Sequence, residues 1–141
     1  MTMTAAERTP KPSFASEDTL RVMVVEDDDS VRCLICRRLR QAGLETLSAA
    51  SGEEAIAICE GAAPTIHLLV TDGIMPGMDG FDLARWFAKH RPGVRGILIS
   101  GFMGHFVSRS DIPENIEAFF PKPFFGEELV AKILEILGTP A

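Results

Sequence analysis

The segment Val22–Asp29 reads VMVVEDDD, an apolar run that passes directly into four consecutive acids. A continuous apolar run of this kind is typical of a strand buried on both faces of a parallel sheet. Carboxylates crowded at the end of such a strand repel one another and lose hydration, so they need a cation or a proton nearby. The segment therefore predicts a buried strand that leads into a polar site.

Three later apolar runs also end in polar residues. One is followed by Asp72, the next by Ser100 and the last by Lys122. In parallel α/β sheets, ligands bind beyond the carboxyl ends of the strands. Two acids, a hydroxyl and a cation at successive strand ends therefore predict one polar site assembled from distant parts of the chain.

Apolar runs alternate with helical patterns from Leu20 onward. The strands are predicted at Leu20–Val25, Leu44–Ala49, Ile66–Thr71, Val94–Ile99 and Ile116–Phe120. The helices are predicted from a cap at Ser30 to about Ala42, from Ser51 to Gly61, over Phe81–His90 and over Gly126–Leu137, while residues 101–115 leave room for only a short helix. Five strands alternating with helices predict an α/β fold whose parallel sheet is covered on both faces.

Length and composition predict one domain at 20–138, between a flexible N-terminal tail at 1–19 and a short C-terminal tail at 139–141. The chain has 141 residues and a formal net charge of −6, which argues against direct nucleic-acid binding. No apolar run approaches the roughly 18–20 residues of a membrane span. Three cysteines, an odd number, point to a reducing compartment, so a cytoplasmic location is expected.

The strand-end residues have the chemistry of a phosphoryl site. Together, Glu26, Asp27 and Asp72 would offer hard oxygen ligands to Mg²⁺, which keeps waters for phosphate oxygens. Ser100 would donate a hydrogen bond to an anion at Asp72, and Lys122 would neutralise that anion. An aspartate paired with a metal and a lysine is equipped to become an acyl phosphate.

Residues 20–138 resemble the receiver domains of two-component response regulators, in their single-domain form. Four stretches carry the resemblance: Val24–Asp28, Thr71–Gly80, Ile97–Gly101 and Lys122–Phe124. The second of them contains the specific pattern Asp-x-x-Met-Pro-x-Met-Asp-Gly. The resemblance implies a flavodoxin-like (βα)5 doubly wound fold, a five-stranded parallel sheet with helices on both faces.

The resemblance also assigns the metal site and the phosphoacceptor. It implies that Asp72 takes the phosphoryl group and that Mg²⁺ is bound by Asp27, Asp72 and the backbone carbonyl of Ile74. Glu26 would act on the metal largely through water.

For the phosphoryl group, the resemblance implies contacts from Ser100 and Lys122 and a cis bond between Lys122 and Pro123. In this family an aromatic residue on the fifth strand rotates inward when the hydroxyl residue moves. Here that position is Phe119, which lacks the hydroxyl of a tyrosine. A switch that depends on a tyrosine hydrogen bond is therefore not expected in this chain.

Two apolar residues flank the predicted site, Ile74 two positions after Asp72 and Phe102 two positions after Ser100. An acid or amide at these positions would orient an attacking water. Slow self-hydrolysis of the phosphorylated form is therefore hypothesised; the alternative is that both side chains only pack nearby.

The first helix is basic in an otherwise acidic chain. Arg32, Arg37 and Arg38 would form either a solvated helix face or a docking surface for a phosphodonor helical bundle. Docking is the functional hypothesis, because partners of this family commonly contact the first helix beside the active site.

The sequence favours a phosphoacceptor of a two-component system or phosphorelay over an enzyme, with at most Mg²⁺-dependent self-phosphorylation and self-dephosphorylation. The donor would be a bacterial histidine kinase or histidine phosphotransfer protein, and signal would pass by conformational change to an effector protein that the sequence does not name. The alternative is the receiver module of a hybrid sensor kinase. Met1 and the N-terminal tail favour an independent protein over that alternative. No output domain is expected after Leu137. An aspartyl-phosphate phosphatase fits less well, because Ile74 stands where it would need an acid.

Overall fold

In the computed structural model of the chain, the described residues are 19–61, 64–100, 112–122 and 126–138. They form five strands, β1 (Arg21–Val25), β2 (Glu45–Ala49), β3 (Leu68–Asp72), β4 (Arg95–Ser100) and β5 (Ile116–Pro121). Four helices accompany them, α1 (Asp29–Gln41), α2 (Gly52–Glu60), α3 (Gly80–His90) and α4 (Gly126–Leu137). The predicted alternation of strands and helices is confirmed in these residues.

The strands form one parallel sheet in the order β2-β1-β3-β4-β5. The chain reverses its direction of winding between β1 and β3, and in open α/β sheets this is the point at which ligands bind, beyond the carboxyl ends of the strands. Val25 pairs with Thr71, so the next residues, Glu26 and Asp72, lie side by side at the carboxyl ends of β1 and β3. The predicted doubly wound fold is confirmed, and its topology places the first two strand-end acids together.

Two apolar clusters cover the two faces of the sheet. On one face, strand residues such as Val24 and Val70 pack with Leu39 of α1 and Ile133 of α4. On the other, Met23, Val25 and Leu69 pack with Ala55 of α2 and Phe87 of α3. The residues alternate between the faces along each strand, which explains why all three central strands are apolar nearly throughout.

The third strand begins at Leu68 rather than at the predicted Ile66, and it continues through Asp72. At its start the Arg21 N–H donates to ring Nδ1 of His67 at 3.0 Å, so a side chain takes the place of a backbone partner. Asp72 pairs with Ile99 of β4 and is therefore part of the strand itself. Its carboxylate consequently has the rigid support of the sheet.

The predicted cap at Ser30 is wrong. The N-cap of α1 is Asp28, whose Oδ1 accepts hydrogen bonds from the N–H groups of Ser30 and Val31 at 2.9 and 3.2 Å. An aspartate competes as well as a serine for this position, and here the helix begins two residues earlier than predicted. The predicted cap at Ser51 is confirmed, since its hydroxyl accepts the Glu54 N–H at 3.0 Å.

Several sequence predictions fall on residues outside the described ranges. They are the two tails apart from residue 19, most of the short helix considered within 101–115, Phe102 and the peptide bond to Pro123. Among the residues that are described, no helix is both long and apolar enough to cross a membrane.

Candidate functional site

Three carboxylates meet at the carboxyl edge of the sheet, between β1 and β3. Oxygens of Glu26, Asp27 and Asp72 all lie within 4.8 Å of one another. Glu26 is 1 % exposed and Asp72 5 % exposed, whereas Asp27 is exposed to solvent. Two of the acids therefore lie buried at the bottom of the site, and the third lies on its solvent-exposed side.

Lys122 joins the two buried acids. Its Nζ donates to Oδ2 of Asp72 at 3.0 Å and lies 2.9 Å from Oε1 of Glu26. The Lys122 N–H donates to the carbonyl of Ser100 at 2.9 Å, which extends the pairing of β4 and β5 by one residue beyond Pro121. The ammonium group is thus held over the acids by the sheet edge.

Burial dominates the electrostatics of Glu26. Loss of hydration raises the pKa of its carboxyl from 4.5 to about 7. The hydrogen bond from the Asp28 N–H and the ammonium of Lys122 act in the opposite direction, and the nearby charge of Asp72 adds to the rise. Glu26 is therefore an acid held in a costly charged state, which a cation would relieve.

Partial burial lowers the pKa of Lys122, but its contacts with Glu26 and Asp72 outweigh that effect and leave the pKa raised. Lys122 consequently stays cationic at neutral pH. One lysine nevertheless faces three carboxylates, so the site keeps an excess of negative charge.

The donor set fits a small hard cation. Oε1 of Glu26 is buried and accepts no aligned hydrogen bond from any described residue. The nearby Nζ of Lys122 lies at ion-pair distance but outside hydrogen-bond geometry, so this contact is electrostatic. A buried carboxylate oxygen with free lone pairs beside two further acids is suited to Mg²⁺, which binds oxygen and retains several waters.

Ser100 and Phe119 lie on the strands beside the acids. Ser100 is fully buried at the end of β4, one residue after the β4 partner of Asp72. Phe119 pairs with Leu98 and is half-buried; its neighbour Phe120 packs into the cluster on the opposite face of the sheet. The hydroxyl and the aromatic residue thus lie on adjacent strands, near the same edge.

The loop after β3 turns back over its own carboxylate. The Ile74 N–H donates to Oδ1 of Asp72 at 3.1 Å, while Ile74 as a residue is 45 % exposed. Both oxygens of Asp72 therefore have one donor each, the Ile74 amide and Lys122. Phe102, the second predicted lifetime residue, lies outside the described residues.

Gly80 supports the site, a role that was not predicted from the sequence. A Cβ at this position would lie 2.3 Å from the carbonyl oxygen of Asp72 and 2.8 Å from Cα of Gly73. The Gly80 N–H also donates to the Gly73 carbonyl at 3.0 Å. The signal was present as the Asp-Gly pair that closes the long motif, but only the fold shows which backbone the glycine approaches.

The three arginines named on α1 differ in their surroundings. Arg37 and Arg38 are exposed, and the stem of Arg38 lies against Gly126 at the start of α4. Arg32 instead turns toward the acidic segment, where it donates to the Glu26 carbonyl at 2.8 Å and to Oδ1 of Asp29 at 2.6 Å. The basic face of the helix is therefore not a single uniform surface.

The family model of the response regulator receiver domain matches residues 22–134. Among curated proteins, the chain is 35% identical over 116 residues to the sensor kinase CckA of Brucella abortus, which is 82% of this chain and 12% of that protein. It is 32% identical over 112 residues to the DNA-binding transcriptional regulator NtrC of Salmonella typhimurium, which is 79% of this chain and 24% of that protein. The chain thus spans under a quarter of the length of either relative.

Solved structures show the same likeness. The receiver domain of the hybrid histidine kinase CckA is 37% identical with a TM-score of 0.70, over 83% of this chain and 98% of that one. The response regulator protein TrrA of Thermotoga maritima, in complex with Mg(2+)-BeF, is 27% identical with a TM-score of 0.72, over 84% of this chain and 99% of that one.

Proposed function

The chain belongs to the response regulator receiver domain family, and from that premise we propose that Asp72 accepts a phosphoryl group from a phosphohistidine protein. The observation that carries the proposal is the contact of one lysine with two buried acids, Asp72 and Glu26, at the carboxyl edge of the sheet. A carboxylate that is rigidly held, close to a fixed cation and open on one side is prepared for attack on phosphorus.

In the proposed transfer, a carboxylate oxygen of Asp72 forms a bond to phosphorus while the bond from phosphorus to the donor's histidine nitrogen breaks. The electron pair of that bond returns to the imidazole, which then takes a proton from water. Lys122 already donates to Oδ2 of Asp72, so its ammonium is placed to face the charge of the incoming phosphoryl group. Ser100, at the end of the adjacent strand, is proposed to contact the phosphoryl oxygens and to start the shift of Phe119.

Glu26, Asp27, Asp72 and the backbone carbonyl of Ile74 are the residues proposed to hold Mg²⁺, with Glu26 acting largely through water. When bound, the metal would offset negative charge on the transferred group. The excess of carboxylates over lysine gives these residues the charge that such a cation requires.

We infer that the chain is a signalling module in a bacterial two-component system or phosphorelay rather than an enzyme that turns over a substrate. Its donor would be a histidine kinase or histidine phosphotransfer protein, and its output would be a change of shape read by an effector protein. The acidic net charge and the absence of a basic field support a partner other than nucleic acid or membrane. Its three cysteines are free thiols, which supports a cytoplasmic setting.

A second candidate is the receiver module of a hybrid sensor kinase. It is favoured by the identity of 37% to the receiver of a hybrid histidine kinase and of 35% to a sensor kinase. Both candidates use the same phosphoacceptor, so they differ only in the chain to which the receiver is attached.

Removal of Mg²⁺ tests the proposed function. The full chain would be incubated with phosphorylated histidine phosphotransfer proteins, and label on the chain would be followed over time. We expect transfer with Mg²⁺ and a loss to background in EDTA, restored when excess Mg²⁺ is added back. Transfer that is equally fast in EDTA would contradict the proposed metal, and no transfer from any histidine donor or small phosphodonor would contradict the proposed function.

The raised pKa of Glu26 predicts that this acid destabilises the metal-free protein at high pH. Its pKa is higher in the folded chain, about 7, than its ordinary value of 4.5, so its contribution to stability is fully present below pH 4.5 and is lost as pH rises through 7. In EDTA at pH 8, Glu26→Gln is therefore expected to stabilise the fold by on the order of 1–3 kcal/mol.

Thermal unfolding in EDTA from pH 5 to pH 8 checks this, with Glu60→Gln as the control at an exposed position. The gain of Glu26→Gln should shrink toward pH 5, and Mg²⁺ should stabilise the variant less than the wild type. A variant less stable than the wild type at pH 8 in EDTA would show that burial does not govern this acid.

Arg32, Arg37 and Arg38 are proposed to line the docking face for the histidine protein, and two of them are exposed for such contact. Reversing charge at Arg37 and Arg38 to glutamate is expected to slow transfer from the cognate histidine protein at least about tenfold at low salt. Uptake from a small phosphodonor should be unchanged and serves as the control. Equal slowing with both donors would mean that the substitutions damage the site rather than docking.

Slow self-hydrolysis is proposed because Ile74 places an apolar side chain beside the acceptor and supplies no group to orient water. The double variant Ile74→Asn, Phe102→Glu should lose its phosphoryl group at least about tenfold faster, since a general base contributes 10²–10⁴-fold in favourable cases. Loss of label from the purified phosphorylated protein measures this rate. If wild type and variant lose label equally fast, these positions do not set the lifetime.

A further inference from the structure

Arg32 is set apart from the other basic residues of α1 by its burial and its partners. Its side chain is 19 % exposed. Nη1 donates to the backbone carbonyl of Glu26 at 2.8 Å, and Nη2 donates to Oδ1 of Asp29 at 2.6 Å. The guanidinium thus ties the first turn of α1 to the residue that directly follows β1.

These contacts complete the anchoring of Glu26. Its N–H donates to the Ala49 carbonyl at 3.1 Å, and its Oε2 accepts the Asp28 N–H at 3.0 Å. The carbonyl held by Arg32 belongs to the peptide group that joins Glu26 to Asp27. Fixing that peptide plane sets the direction in which the Asp27 side chain leaves the turn, and Asp27 is the exposed member of the carboxylate cluster.

The positive charge of Arg32, taken alone, would weaken the binding of Mg²⁺ to the three carboxylates. A guanidinium close to the acids repels Mg²⁺ by Coulomb's law, so its removal would tighten metal binding if charge alone mattered. Loss of positioning would weaken binding, because partners that orient metal ligands are worth 10–100-fold in affinity. The two effects have opposite signs, and one measurement separates them.

We propose that Arg32 is a positioning residue of the metal site, whose two-armed contact holds the Glu26–Asp27 turn in its binding shape and outweighs the repulsion of the metal. The inference rests on the proposed function, since it takes the three carboxylates as the Mg²⁺ site. Arginine suits this role because its rigid planar fork reaches two acceptors at once, whereas lysine offers a single point charge.

The test is the Mg²⁺ affinity of the full chain by calorimetric titration, without any phosphodonor. Arg32→Met removes the fork and the charge, and Arg32→Lys removes the fork but keeps the charge. Arg40→Met is the control, since Arg40 is an exposed arginine of the same helix whose side chain donates to Thr46. Thermal unfolding in EDTA measures any general loss of stability.

We expect both Arg32 variants to bind Mg²⁺ about tenfold more weakly than the wild type, with unfolding in EDTA changed little, and Arg40→Met to bind as the wild type does. Binding by Arg32→Met that equals or exceeds the wild type would overturn the positioning role. So would normal binding by Arg32→Lys, because it would show that the two-armed fork is not needed. A wild type that binds no Mg²⁺ would overturn this inference together with the proposed metal site, which is a distinguishable result.

Discussion

Replacing Asp72 by asparagine is expected to abolish phosphoryl uptake while leaving the fold intact. Asparagine has the same shape, so it can keep the hydrogen bond that Oδ1 accepts from the Ile74 N–H and the place of Asp72 in β3. The amide lacks the anionic oxygen that attacks phosphorus, and Lys122 loses one of its two anionic partners. Uptake from both a histidine protein and a small phosphodonor should fall to background.

Intact-mass measurement after incubation with a small phosphodonor and Mg²⁺ checks this result. Asp79→Asn is the matched control, because it makes the same substitution nearby, in the loop that follows β3. Asp79 caps α3 through the Asp82 N–H, a role that asparagine fills equally well. Full labelling of Asp72→Asn, or loss of labelling in Asp79→Asn alone, would place the acceptor elsewhere.

Gly80→Ala is expected to destabilise the fold strongly. The added Cβ would lie 2.3 Å from the Asp72 carbonyl oxygen, and the obstructing atoms are backbone at the end of β3 rather than a flexible side chain. Relief therefore requires a shift of α3 or of the strand. We expect a loss of about 3 kcal/mol in the free energy of unfolding, with weaker Mg²⁺ binding because Asp72 moves.

Chemical denaturation and Mg²⁺ titration measure both effects. Gly61→Ala is the control, since Gly61 has a negative φ and a Cβ there would meet only backbone oxygens at 3.5 and 3.6 Å, which is ordinary contact. It should change stability by less than about 1 kcal/mol. A Gly80→Ala protein as stable as the control would mean that the loop after β3 can give way without cost.

The fold could be predicted from the sequence because its signals are local and repeated. The run VMVVEDDD, like the later apolar runs, indicates by its composition alone a strand that is buried on both faces of the sheet. Capping patterns such as Ser51 with Glu54 mark the starts of helices. The strand limits were less accurate. At Arg21 and His67 a ring nitrogen replaces a backbone partner, and this pairing of residues distant in sequence leaves no local trace.

The residues of the site could be predicted from the sequence, but the separate role of each acid could not. Parallel strands bring their carboxyl ends to one edge, so the order acid, acid, hydroxyl, lysine indicated a shared site before any distance was known. The four consecutive acids look alike in the sequence. In the structure Asp28 caps α1, Asp29 forms an ion pair with Arg32, and Glu26 is buried against Lys122.

By itself, then, the sequence determined the α/β sheet, the edge at which the polar side chains meet and the residue types gathered there, because periodicity and strand order act over short stretches of chain. Only the tertiary structure decided the burial that raises the pKa of Glu26, the approach of Gly80 to Asp72 and the inward turn of Arg32. These features depend on distances and desolvation between segments far apart in sequence, which arise only when the sheet and helices pack.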